Sequence, residues 1–135
     1  MGSKLPYSKV MVVDDNKMDN LLVGMVLKTI NYSLEIISFH NPKEALNYLK
    51  GFEEQTDSLP PEVIFLDINM PLMNGFELLD ELKKLKHNKI DNCKIYMLSS
   101  SDEPEDIEKA NSYPNVIKYL KKPLDREELL NIKPE

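Results

Sequence analysis

Three runs of four apolar residues constrain this chain more than any other feature: Val10-Met11-Val12-Val13, Val63-Ile64-Phe65-Leu66 and Ile95-Tyr96-Met97-Leu98. Each is short, rich in β-branched or aromatic side chains, and closed by polar residues. A strand with one wet face alternates apolar and polar, whereas a run apolar throughout suits a strand covered on both faces. Leu34-Glu35-Ile36-Ile37-Ser38-Phe39 and Val116-Ile117-Lys118-Tyr119-Leu120 are two weaker strands. Helical patterns separate them, so strand is followed by helix five times. That alternation predicts an α/β fold, a parallel sheet with helices on both faces.

The helices are read from apolar spacing. Met18, Leu21, Leu22, Met25 and Val26 recur at i, i+3, i+4, i+7 and i+8, which predicts an amphipathic helix over 17–30 with those side chains as its apolar stripe. Ala45, Leu46 and Leu49 continue a second helix behind Pro42, whose ring suits a first turn. Leu78, Leu79, Leu82 and Leu85 mark a third, opening near Asn74-Gly75. Ile107 and Ala110 mark a short fourth; Pro104 falls in its first turn, Asp102 and Glu105 have capping-box spacing, and Tyr113-Pro114 ends it. Arg126 to Leu130 forms a short last helix, and residues 53–61 read as an extended loop. The methionines fall on helix faces and strands, which is core usage, and Cys93 reads as a small buried hydrophobe. His40 and His87 read as surface residues, since nothing acidic or cysteinyl brackets them at ligand spacing.

Charge and composition narrow the function. The chain carries 17 basic and 23 acidic residues, a net charge of −6. Neutralising a nucleic-acid backbone needs clustered Lys and Arg, so direct nucleic-acid binding is not expected. A small cation remains a suitable ligand. The apolar runs fall far short of the ~20 residues that span a bilayer, so no membrane segment is expected. Met1-Gly2-Ser3-Lys4-Leu5-Pro6 has no apolar h-region, so no signal peptide is expected either. A single cysteine excludes an internal disulfide and fits a reducing cytoplasm; with one Cys and two His, no closed zinc site is expected.

In an open parallel sheet the ligand sits outside the carboxyl ends of the strands, at a topological switch point. Asp14 and Asp15 follow the first strand, Asp67 the third, Ser99 and Ser100 the fourth, and Lys121, Lys122 and Pro123 the fifth. Taken singly, each has a bland role: acids cap the next helix, serines fill loops, Lys-Pro makes a turn. Taken together, they bring three carboxylates, a hydroxyl and an ammonium to one edge. Carboxylates packed that closely repel, so one is neutral or a cation joins them, and oxygen ligands of this kind suit Mg²⁺. A cation beside a lysine suits a transferring phosphoryl group, which a carboxylate can accept covalently. Ser99 can donate one hydrogen bond to that group, and Lys122 supplies a compact point charge.

These residues resemble the receiver domain of two-component response regulators, in particular its chemotaxis-regulator-like members, over about residues 9–132. Val12-Val13-Asp14-Asp15-Asn16 is similar to the family's acidic pair after strand 1. Phe65-Leu66-Asp67-Ile68-Asn69-Met70-Pro71-Leu72-Met73-Asn74-Gly75 is similar to its phosphoacceptor loop, the strongest single match. Met97-Leu98-Ser99-Ser100 matches the hydroxyl after strand 4, and Tyr119-Leu120-Lys121-Lys122-Pro123 the switch aromatic three residues before the lysine of Lys-Pro. The resemblance implies a flavodoxin-like (βα)5 three-layer sandwich with strand order 2-1-3-4-5, and one receiver domain spanning residues 1–135. It implies that Asp67 accepts the phosphoryl group from a histidine kinase or histidine phosphotransfer protein. Asp15 and Asp67 would ligate Mg²⁺ directly, Asp14 would help, often through water, and the backbone carbonyl of Asn69 would complete the protein ligands. Ser99 and Lys122 would contact the phosphoryl group, and Tyr119 would move inward as Ser99 is drawn to it. Lys122 takes the role over Lys121 because strand alternation sends Lys121 to the other face and the family places the lysine directly before proline. Asn69 and Ser101 flank the site at positions that the family uses to set the dephosphorylation rate.

The resemblance further implies a downstream protein target on the face of the fourth helix, fifth strand and fifth helix, and a monomer or a phosphorylation-dependent homodimer. Five residues follow Leu130, so no output domain is expected there. The implied role is signalling, not enzymatic turnover. Three alternatives compete. A phosphatase with an aspartyl-phosphate intermediate, as in the haloacid-dehalogenase-like family, favours Asp-x-Asp after the first strand, whereas Asn69 stands two after Asp67 here and the motif follows the third. A flavodoxin-like cofactor binder needs a phosphate-cradling loop after strand 1, where Asp14-Asp15 would repel phosphate. A degenerate receiver serving as a constitutive interaction module is opposed by the complete residue set.

Overall fold

The computed structural model describes residues 7–53, 59–85, 92–100 and 103–132. Five strands alternate with five helices: β1 (Tyr7–Val13), α1 (Lys17–Thr29), β2 (Ser33–Phe39), α2 (Pro42–Lys50), β3 (Val63–Asp67), α3 (Gly75–Lys83), β4 (Lys94–Ser99), α4 (Pro104–Asn111), β5 (Val116–Lys121) and α5 (Arg126–Asn131). A single 3₁₀ turn, Gly51–Glu53, follows α2. All strand pairs are parallel, in the order β2-β1-β3-β4-β5. This is the flavodoxin-like order that the resemblance implied.

The apolar runs occupy the middle of the sheet. Val63, Ile64, Phe65 and Leu66 of β3 are all buried, because neighbouring strands flank them and helices cover both faces. Two apolar layers result. Met11, Val13, Ile64, Leu66, Ile95 and Met97 point to one side, with Leu46, Leu49, Leu78, Leu79 and Leu82. Val10, Val12, Val63, Phe65, Tyr96 and Leu98 point to the other, with Val23, Leu27 and Leu129. The edge strands are thinner: Leu34 of β2 and Ile117 of β5 are exposed.

Helix α3 opens where the sequence indicates. Asn74 accepts from the Glu77 backbone N–H, and Glu77 Oε1 accepts from the Asn74 N–H, each at 2.9 Å. This reciprocal capping box satisfies two donors at the helix start. Gly75 is needed there because a Cβ would lie 2.5 Å from the Asp67 carbonyl oxygen. Between them, the Met73 N–H bonds the Pro71 carbonyl at 2.7 Å around Leu72, whose φ is 71°. A branched side chain rarely adopts that region, so the loop after β3 carries local strain.

Helix α1 departs from its predicted face. Met18, Leu21, Leu22 and Met25 are exposed, Val26 alone of the predicted stripe packs against the core, half-buried, and the buried side chains are Asn20, Val23 and Leu27. The helix is apolar on two sides, and the side containing a polar residue is the one that packs. The reason is a hydrogen-bonding one: Asn20 Nδ2 donates to the carbonyls of Phe39 at 3.0 Å and Asp14 at 3.3 Å. These bonds join the helix to the ends of two strands. Core usage therefore holds for Met11, Met70 and Met97 but not for Met18 and Met25.

At α4 the N-cap is Glu103, with no side-chain cap bond, so Glu105 makes no capping-box partner there; Asp102 lies outside the described residues. His87, Ser101 and residues 54–58 of the predicted loop also lie outside them. His40 is exposed, and Cys93 is buried with its thiol donating to the Pro61 carbonyl at 2.9 Å. Among the described residues no helix is long and apolar enough to cross a membrane.

Candidate functional site

Strand β1 runs between β2 and β3, so the chain turns opposite ways from its carboxyl end and that of β3. This is the switch point of an open parallel sheet. Register places Val13 beside Leu66 and Asp67 beside Leu98. The residues following these positions must therefore crowd the same edge.

Asp14, Asp15 and Asp67 each offer a carboxylate oxygen, and these oxygens lie within 4.8 Å of one another. Asp14 and Asp67 are buried; Asp15 is more open. Asp14 is held by its backbone N–H to the Phe39 carbonyl at 3.1 Å, while its Oδ1 accepts from the Asn16 N–H at 3.0 Å. Asn16 in turn caps α1, accepting from the Asp19 N–H. The cap of α1 is therefore an amide and not one of the acids that precede it. Asp15 is thereby left to face the cluster.

Lys122 enters from the end of β5, where its N–H bonds the Ser99 carbonyl at 2.8 Å. Its Nζ lies 2.6 Å from Asp14 Oδ2, 3.1 Å from Asp19 Oδ2 and 3.2 Å from Asp67 Oδ1. The Lys122–Pro123 peptide bond is cis. Ser99 is fully buried at the end of β4, and Asn69 donates to its Oγ at 3.5 Å from the loop after β3. Tyr119 is half-buried against the apolar layer that holds Met97 and Tyr113. Lys121 is exposed, beside Ser99 in register.

The electrostatics follow from burial. Removal from water, then the neighbouring Asp14 charge, pushes the Asp67 carboxyl up to about 7; Lys122 opposes this shift. Burial works against the Lys122 ammonium, but Asp14, Asp67 and Asp19 outweigh it and hold its pKa above the ordinary lysine range. One ammonium is thus set against four carboxylates. The Asp14 Oδ2 atom is fully buried, and the Lys122 Nζ is 2.6 Å from it. Three carboxylates whose oxygens lie within 4.8 Å of one another, with one ammonium among them, fit a hard divalent cation such as Mg²⁺.

The structure brings together Asp14, Asp15, Asp67, Ser99, Asn69 and Lys122, and sets Tyr119 opposite Met97, two strand positions before the partner of Ser99. Sequence reasoning missed two members. Asp19 pairs with Lys122 from the first turn of α1, and Asn20 holds the Asp14 carbonyl. The available signal was position, since they follow Asp15 by four and five residues, at the start of the helix that the acidic pair precedes.

Comparison with known proteins agrees with this geometry. The family model described as the response regulator receiver domain matches residues 10–133. The chain is 30% identical over 102 residues to Response regulator Rcp1 of Synechocystis, covering 76% of this chain and 68% of that protein. It is 34% identical over 129 residues to Two-component response regulator ARR17 of Arabidopsis thaliana, covering 92% and 81%. Among solved structures, a two component response regulator from Cytophaga hutchinsonii superposes with a TM-score of 0.83 at 31% identity, covering 93% of each chain. The chemotaxis protein CheY4 of Vibrio cholerae superposes at 0.75 with 26% identity, over 93% of this chain and 94% of that one.

Proposed function

The chain belongs to the response regulator receiver domain family, and we propose that it is a phosphorylation-operated switch whose acceptor is Asp67. The observation that carries this reading is the convergence of three carboxylates with Lys122 Nζ 3.2 Å from Asp67 Oδ1. In the reaction, an Asp67 carboxylate oxygen attacks the phosphorus of a phosphohistidine on a histidine kinase or phosphotransfer protein. The P–N bond breaks, the imidazole nitrogen keeps the electron pair, and an aspartyl phosphate forms. Lys122 offers an ammonium to a phosphoryl oxygen, and Ser99 offers its hydroxyl. Mg²⁺, held by Asp14, Asp15, Asp67 and the Asn69 carbonyl, would keep Asp67 ionised and offset the charge that the phosphoryl group brings.

Two surfaces serve partners in this reading. The exposed side chains Met18, Leu21, Leu22 and Met25 lie on α1, which starts at the acidic pair, and so form an apolar seat for the phosphodonor protein. On the other side, Ser99 drawn toward the phosphoryl group makes room for Tyr119, altering the face of α4, β5 and α5 on which exposed Ile117 also lies. A downstream protein, or a second copy of the chain, reads that change. The protein acts in the cytoplasm as a signalling domain whose only chemistry is on its own Asp67.

The test is intact mass after incubation with acetyl phosphate, with and without Mg²⁺, for the parent and Asp67→Asn. The expected result is a Mg²⁺-dependent gain of one phosphoryl group, absent from the variant. Labelling retained in Asp67→Asn would overturn the acceptor assignment, and no labelling of the parent would overturn the switch.

A further inference from the structure

An ammonium has three N–H donors, and three carboxylates surround that of Lys122. They are not equivalent. Asp14 and Asp67 belong to the oxygen cluster that fits a divalent cation, whereas Asp19 stands outside it in the first turn of α1. The Asp14 and Asp67 side chains are buried, while that of Asp19 is 37% exposed. Asp19 and Lys122 together line a cleft of about 190 Å³ between α1 and the segment after β5, with Leu22, Val26 and Leu124.

This arrangement sets up a competition. A divalent cation and the Lys122 ammonium attract the same two carboxylates and repel each other. An ammonium displaced from Asp14 and Asp67 with no other anion at hand would be a half-buried charge without a partner, which is costly. Asp19 removes that cost, because it already bonds Nζ at 3.1 Å from outside the cluster.

We propose that Asp19 is a positioning residue: it keeps Lys122 paired when a divalent cation engages Asp14 and Asp67, and thereby strengthens cation binding. The inference rests on the reading that the three-carboxylate cluster holds a divalent cation. The role belongs to Asp19 acting through Lys122, which separates it from the simple attraction of any extra negative charge.

The experiment is a double-mutant cycle on Mg²⁺ affinity, read from amide shifts in an NMR titration with MgCl₂ and needing no phosphoryl donor. The proteins are the parent, Asp19→Asn, Lys122→Met and the double variant, each checked by thermal melting; Asp19→Ser replaces Asp19→Asn if that variant does not fold. With Lys122 present, losing Asp19 weakens Mg²⁺ binding about threefold to tenfold, the size of a partly exposed ion pair. In the Lys122→Met background the same change has less than about a twofold effect. An equal loss in both backgrounds would reduce Asp19 to a bystander charge and overturn the proposal, as would no loss in either. A parent that binds no Mg²⁺ would instead refute the cation reading itself, and the proposal with it.

Discussion

Helices α1 and α3 invite comparison because both start from an acidic strand end at the same edge of the sheet, yet they bury their faces by different rules. Helix α3 opens with a capping box and buries Leu78, Leu79 and Leu82, the stripe that its spacing indicates. Helix α1 buries Asn20, Val23 and Leu27 and leaves Met18, Leu21, Leu22 and Met25 in water. One helix follows its apolar moment; the other turns a more apolar side outward. The difference teaches that a helix in this fold answers to two demands. Helix α3 answers to the core alone. Helix α1 must also close the carbonyls of Asp14 and Phe39, which only the Asn20 side can do.

The comparison breaks most visibly under truncation. Leu78→Ala on α3 is expected to destabilise the fold by about 2–5 kcal/mol, whereas Leu21→Ala on α1 stays within about 0.5 kcal/mol. Urea unfolding of the two variants decides it; a comparable loss at Leu21 would mean that the exposed face is in fact packed.

The strand ends behind the two helices differ next, through Asp67. Its carboxyl is raised from 3.8 to about 7 by burial and by Asp14, so the folded state binds a proton that the unfolded chain has released. The stability that this group contributes without divalent cation is therefore fully present below about pH 4 and is lost as pH rises through about 7. Asp67→Asn should remove most of this slope and raise the melting temperature at pH 7.5. Melts of both proteins across that pH range in EDTA check it, and a difference between parent and Asp67→Asn that does not change from pH 4 to 7 would contradict the assigned shift.

The two helix starts can then be set against each other. Asn20→Ala leaves two strand-end carbonyls without their amide partner and is expected to cost about 1–3 kcal/mol, while Asn74→Ala removes a cap and costs about 1 kcal/mol. Asn20→Ala should also slow labelling of Asp67, because the Asp14 carbonyl loses its tether. Equal labelling rates for the two variants would show that Asn20 supports only the fold.

The smallest effect on stability carries the largest meaning for partners. Leu21→Lys should leave the melting temperature unchanged within about 0.5 kcal/mol, as a surface change does. It should nevertheless lower transfer from a phosphodonor protein at least about fivefold more than labelling by acetyl phosphate, as expected for loss of an apolar contact. Parallel losses with both donors would move the docking seat away from α1.

The helix errors mark where local pattern stops being informative. Periodicity reports that a helix has an apolar stripe, but α1 has two, and nothing within residues 17–30 names the one that meets the sheet. The opening of α3 near Asn74-Gly75 was readable, and there Asn74 and Glu77 meet within one turn as a capping box. At α4 spacing offered Asp102 and Glu105, of which Asp102 lies outside the described residues, and the N-cap there is Glu103, which makes no side-chain cap bond. The strained turn at Leu72 was invisible, since a leucine carries no sign that its φ will be positive.

What the sequence determined by itself was whatever rests on short range and on composition. Four-residue apolar runs need cover on both faces, alternation with helices makes the sheet parallel, and the residues ending each run must then gather at one edge. Asp14, Asp15, Asp67, Ser99 and Lys122 were legible for that reason. Tertiary structure alone decided which oxygens meet and what each nitrogen touches. The three carboxylates stand within 4.8 Å because β1 and β3 are neighbours in register, and Lys122 reaches Asp19 across 103 residues because α1 packs against the end of β5. Burial strengthens both effects, since the same charges that would be screened in water act on one another at full strength only where the fold excludes it.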